Sequence, residues 1–164
     1  MEFARTAAAR LPRLMTPGCR TAPGVFCYQA QGSRIGDTLR FVLIAVFGAA
    51  GTLARYGLQG LVQIRIGSTF PYGTLLVNLT GCFFLGMIGQ MMLNRMMVSS
   101  EWRLAIAVGF FGGYTTFSSF SLQTLALARD GEWLFAALNA IGSFVLCLFA
   151  VWLGDHLAVL LNQR

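Results

Sequence analysis

Charge is what this sequence has little of. Of its 164 residues only 11% are charged while 56% are apolar, and the mean hydropathy is +0.66. Soluble domains carry about 25% charged residues, so this chain cannot cover a wetted surface and is read as a protein that lives in lipid. Lysine is missing altogether: all twelve basic residues are arginine, and Arg5, Arg10, Arg13, Arg20, Arg34 and Arg40 lie in the first forty positions. The net charge of +6 is therefore largely a property of the N-terminal segment. No basic face is left over to track phosphates, which excludes nucleic acid as a partner. Cys19, Cys27, Cys82 and Cys147 form no CxxC pair, and the single histidine, His156, stands beside Asp155 near the C-terminal end. The cysteines read as small apolar residues and His156 as an interfacial polar group, not as a metal site. No Ser/His/acid set and no phosphate-cradling glycine loop is present, so an enzyme is not expected.

Residues 1–37 are rich in Arg, Ala, Pro and Gly, with Glu2 and Asp37 as the only acids. Such a composition predicts a disordered Arg-rich extension, similar to an organelle transit sequence or a basic cytoplasmic tail. The domain follows over 38–164. Four stretches in it are long and apolar enough to cross a bilayer as helices, for which about 20 residues suffice. Phe41 to Ile64 carries one charge, Arg55, and the glycines Gly48, Gly51, Gly57 and Gly60, which allow close helix approach. The uncharged run Ile66 to Asn94 predicts a second helix from near Gly73, after Pro71 and Tyr72 at the interface. Leu104 to Ala128 follows Glu101, Trp102 and Arg103, and Trp133 to Gly154 has aromatic anchors at Trp133 and Trp152. An even number of spans puts both termini on one side. Arg95, Arg103, Arg164 and the N-terminal arginines then face Arg65 and Arg129, which favours cytoplasmic termini, a bias that nearly vanishes without the extension.

Polar groups in hydrocarbon are expensive, so they direct the search for function. Thr74 and Asn78 share a face of the second helix at i, i+4, and Asn139 and Ser143 repeat the spacing on the fourth. These stripes suit interhelical glue and a polar pathway equally. The third span carries Gly112-Gly113-Tyr114-Thr115-Thr116-Phe117-Ser118-Ser119-Phe120-Ser121, whose glycines and hydroxyls predict a helix break at membrane depth. Backbone freed there must be buried in protein, line a wet cavity or hold an ion, and carbonyls suit a cation such as Na⁺. Phe117 and Phe120, at i, i+3, can project from one face if the chain is helical again. Arg55 either draws anions toward a vestibule or snorkels to a headgroup. None of the six acids falls inside a predicted span, which disfavours a proton-coupled exporter built on an intramembrane carboxylate.

With these motifs on the page, the chain resembles the Fluc-type (CrcB) fluoride channels over Thr38 to Leu161. The resemblance rests on the third-span string, on Gly73-Thr74-Leu75-Leu76-Val77-Asn78 with Gly81, on Gly51 to Arg55-Tyr56, and on Gly142-Ser143. It implies an all-α integral membrane protein of four transmembrane helices with a break in the third, paired as an antiparallel, dual-topology homodimer with two fluoride pores along the interface. A heterodimer with a homologous chain is the variant of that assembly. By the same resemblance, Thr74, Asn78 and Ser143 match the polar track of the ion, Phe117 and Phe120 the paired pore phenylalanines, and Arg55 the vestibule base. Gly112 and Thr115 match the positions whose backbone carbonyls hold a structural Na⁺ between subunits. Gln123, where many relatives place an acid, and Asn139, often an aromatic or histidine, depart from the pattern, as does the basic extension.

The implied function is passive export of cytoplasmic fluoride across the cell (inner) membrane, which reduces fluoride toxicity. A small four-helix coupled transporter of a cation or amphipathic molecule is the alternative. It lacks an intramembrane carboxylate. A purely structural membrane role would leave Thr74, Asn78 and Ser143 replaceable by apolar residues.

Overall fold

The computed structural model describes residues 34–94 and 99–162. The predicted extension lies outside the described residues up to position 33, and its last four positions are helical. Cys19, Cys27, Arg95 and Arg164 also fall outside them.

All the regular structure among the described residues is helical. Helix α1 is Arg34–Ile66 and α2 is Tyr72–Asn94. Helix α3 is a continuous run of Ser100–Leu104, a wider π-helical segment Ala105–Phe111, and Gly112–Tyr114. Helix α4 is Phe117–Arg129, and α5 joins Trp133–Ala137, a second π segment Leu138–Gly142, and Ser143–Asn162. Among the described residues, three helical stretches are long and apolar enough to span a membrane: Thr38–Ile66, Tyr72–Met92 and Trp133–Asn162. The third predicted span is present as two halves, α3 and α4. They are separated at Thr115 and Thr116, both in extended conformation (ψ 157° and 114°). Neither half alone matches the thickness of a bilayer.

Local chemistry sets the ends. Gly67 has φ +61°, the left-handed conformation that closes a helix, and its N–H donates to the Gln63 carbonyl at 2.9 Å. The Ser68 hydroxyl accepts from the Phe70 N–H at 3.1 Å, and the Pro71 carbonyl accepts from Leu75 N–H at 3.1 Å to start α2. Proline suits that position because no helical donor is needed there. Helix α5 runs on past the predicted end at Gly154, so Asp155 and His156 are helical and His156 stacks on Trp152, centroids 5.1 Å apart. Thirty residues make about 45 Å of helix against a hydrocarbon core of about 30 Å. An acid near the end of so long a helix therefore does not sit at mid-membrane depth.

Packing is closest where side chains are smallest. A Cβ on Gly51 of α1 would run into the Phe110 carbonyl of α3, and one on Gly154 of α5 into the Phe83 carbonyl of α2. The glycines thus bring backbones together, the arrangement expected where lipid removes any hydrophobic drive between helices. Val77, Phe111 and Tyr114 form the buried centre, with Leu58, Leu85, Ile88, Ile106 and Phe110 around it. At one end of the bundle Arg40 of α1 pairs with Glu101 of α3 at 3.2 Å.

Candidate functional site

The site is built around the gap between α3 and α4. In an unbroken helix the Thr116 N–H would donate to the Gly112 carbonyl. Here it donates to Asn78 Oδ1 at 2.8 Å, while Asn78 Nδ2 donates to the Thr116 carbonyl at 3.1 Å. One amide side chain from α2 therefore takes up both backbone groups of a residue that has left the helix. The Thr116 hydroxyl accepts from the Ser119 N–H at 3.1 Å and caps α4. That N–H would otherwise donate to the Thr115 carbonyl. On the other side of the gap, Thr115 N and Oγ1 both donate to the Phe111 carbonyl, at 3.0 and 2.9 Å. The Gly112 and Thr115 carbonyls, which the resemblance implies for a cation, are among the carbonyls at the gap that lose their helical donors, here to the side chains of Asn78 and Thr116. A Cβ at Gly112 would meet nothing within 4 Å, so its backbone is open to an approaching group.

Arg55 reaches the same region: its Nε donates to the Gly113 carbonyl at 3.2 Å, which ties α1 to the last turn of α3. Phe117 and Phe120 begin α4 with ring centroids 5.4 Å apart. Phe117 is 78% exposed and looks outward from the chain, while Phe120 is half-buried.

The two polar stripes have different surroundings. Thr74 is buried and its hydroxyl accepts from Gln59 Nε2 of α1 at 3.0 Å. Asn78 faces the gap. The shared face of Thr74 and Asn78 thus bridges α1 to the break. On α5, Ser143 donates to Asn139 Oδ1 at 3.2 Å, Asn139 Nδ2 donates to Thr124 Oγ1 at 2.8 Å, and Thr124 donates to the Phe120 carbonyl at 2.8 Å. A hydrogen-bonded chain therefore runs from Ser143 to the backbone beneath the phenylalanine pair. Asn139 is buried and sits in the second π segment, a feature that recurs at functional positions in helices. Gln123 Oε1 is buried with no hydrogen-bond partner, an open acceptor on α4.

The structure brings Asn78, Arg55, Gly112 and Thr115 to the break, and Ser143 to α4 through Asn139. Thr74 is engaged with α1 instead. Gln59, Thr116 and Thr124 carry contacts that the sequence did not single out. For Thr116 and Thr124 the signal was their place in or just after the hydroxyl-rich string, whereas Gln59 showed none beyond being polar inside a span. Donor capacity remains on these groups, since each amide nitrogen of Asn78 and Asn139 has two hydrogens and the Thr74 hydroxyl has its own. With no acid among them, the surplus of donors suits an anion.

Similarity to known proteins agrees with this reading. The chain is 50% identical over 125 residues to a protein of Opitutus terrae named Fluoride-specific ion channel FluC, over 75% of this chain and 95% of that relative. A relative of the same name from Paramagnetospirillum magneticum is 46% identical over 127 residues, 76% of this chain and 99% of its own length. One from Geobacter metallireducens is 47% identical over 116 residues, 71% of this chain and 94% of its own. A family model described as CrcB-like protein, Camphor Resistance (CrcB), matches residues 42–155. On that match, and on a third helix broken where the motif string predicted a break, the chain belongs to the CrcB family and is an integral membrane protein.

Proposed function

We propose that this chain is a fluoride-specific channel that lets cytoplasmic fluoride leave the cell passively, across the cell (inner) membrane. The observation that carries the reading is the break at Thr115 and Thr116, clamped by Asn78 and followed by a phenylalanine pair whose first ring, Phe117, faces outward. The names of its relatives fix the ion. Fluoride is small and strongly hydrated, so it needs donors that replace its water. Asn78, Thr74 and the Ser143–Asn139–Thr124 chain offer amide and hydroxyl hydrogens, and ring edges of Phe117 and Phe120 offer positive electrostatic potential. A larger anion gains less from both. Arg55, held at the Gly113 carbonyl, raises the local concentration of anions near the gap.

The working unit is an antiparallel homodimer of dual topology. Its support is the outward orientation of Phe117, which lines a pore only when a second copy closes over it, and the small buried share of α1, 6% over its most apolar window. A structural Na⁺ would suit that interface. The Gly112 and Thr115 carbonyls of each copy would hold it, since side chains take their helical donors and carbonyl oxygens suit a hard cation. Its charge would hold two chains together where their broken helices meet.

The test is fluoride efflux from liposomes containing the purified protein, read with a fluoride electrode under a K⁺ gradient with valinomycin. Rapid loss of fluoride with chloride retained is the expected result. A flux that requires a proton or cation gradient would overturn the channel in favour of a coupled transporter.

A further inference from the structure

Cys82 and Cys147 are reactive side chains that fluoride conduction leaves unused. Cys82 follows Asn78 by one turn on α2, and Cys147 follows Ser143 by one turn on α5. One turn further on, a Cβ at Gly86 would run into the Val151 carbonyl, so α2 and α5 touch backbone to backbone at that level. Cys82 precedes Gly86 by four positions and Cys147 precedes Val151 by four, which brings the two sulfurs to one level on facing sides. Both thiols are free and partly buried.

We propose that Cys82 and Cys147 form a two-thiol site for a soft, linearly coordinating metal ion, with mercury(II) as the ion it holds best. Thiolate sulfur selects soft ions. Among the described residues no group of three or more His, Cys, Asp or Glu side chains could hold a metal, so tetrahedral zinc lacks ligands here. A linear ion needs only the two. Charge then decides which ion: two thiolates neutralise a divalent ion completely, whereas a monovalent one leaves a net negative charge among apolar helices, where charge is expensive. Starting from mercuric chloride, two S–H bonds break and two Hg–S bonds form. Two protons and two chlorides leave to water, and no electron is transferred. The bridge pins α2 to α5 one turn from Asn78 and Ser143.

The full-length protein carrying Cys19→Ser and Cys27→Ser, so that only this pair remains, is titrated with mercuric chloride in detergent. Bound mercury and maleimide-reactive thiols are then counted after gel filtration. One mercury per chain that removes both thiols, on a chain still monomeric in a denaturing gel, is the expected result. Adding Cys82→Ser or Cys147→Ser should weaken retention against competing free cysteine by about a hundredfold or more, the loss expected when a two-point attachment becomes one-point. Two mercury ions per chain, a mercury-bridged dimer, or equal retention by the single-thiol variants would overturn the site. The stoichiometry needs no substitution within the pair, and it reads binding alone, so it stands or falls separately from fluoride conduction.

Discussion

Asn78 supplies two hydrogen bonds where the third helix has lost its own, and this makes its two roles separable. Asn78→Ala leaves the N–H and C=O of Thr116 without partners, at about 1–3 kcal/mol for each buried group. The melting temperature in detergent should fall clearly, and fluoride flux with it. Asn78→Asp still accepts from the Thr116 N–H but loses the donor and adds a negative charge beside the anion path. Its melting temperature should fall less than that of the alanine variant while flux is lost as completely. Near-normal flux in a folded aspartate variant would remove Asn78 from the path. Glu101 makes a prediction about pH. Its carboxyl is held down to about 2, first by the Ser100 hydroxyl, then by its own backbone and Ser99, and by Arg40. A carboxyl lowered in the folded state contributes stability above its unfolded value, and that contribution fades as pH falls through the folded one. The difference in melting temperature between the parent and Glu101→Gln should therefore be constant from about pH 8 to 5 and shrink toward about pH 2. A difference that grows on acidification would contradict the assignment.

At the scale of elements, glycine contacts position the break. Gly51 lies against the Phe110 carbonyl, and Arg55, one turn along the same face, reaches the Gly113 carbonyl. Gly51→Val should push α1 off α3 and cost about 1–3 kcal/mol, the usual range for overpacking. Urea or thermal unfolding in detergent measures that loss, and Gly57→Ala, whose Cβ meets nothing within 4 Å, is the control. Much at this scale was legible beforehand. The limits of α2 and the break in the third span followed from uncharged runs, Pro71 and a string of glycines and hydroxyls. The π segments were not legible, because a π turn inserts one residue into a helix without a composition of its own. Nor was the length of α5. Asp155 and His156 look like an end to the apolar run, but both are tolerated on a helix that outgrows the hydrocarbon.

For the whole molecule, the outward-facing Phe117 and thinly covered α1 predict a functional dimer. Light scattering of the detergent-solubilised protein should report two chains per particle, and dilution to monomers should abolish flux. The donors assembled around the break, Thr74, Asn78, Thr124, Asn139 and Ser143, do not titrate near neutrality, so fluoride efflux should be flat between about pH 6 and 9. A bell-shaped profile would implicate a group outside this set.

Composition and periodicity alone determined that the chain belongs in lipid, roughly where it crosses, which residues share a face of each helix, and where the third helix fails. Those properties depend on transfer energy and on the 3.6-residue turn, both of which act along the chain. Only the tertiary structure decided that Asn78 meets Thr116 across 38 positions, that Arg55 meets Gly113 across 58, and that Thr74 turns to Gln59. A spacing of four fixes a face on one helix but says nothing of how that helix is rotated against the next. That rotation is set by where two backbones come close enough to touch, at Gly51 and Gly154, and the partner of every polar group in the site follows from it.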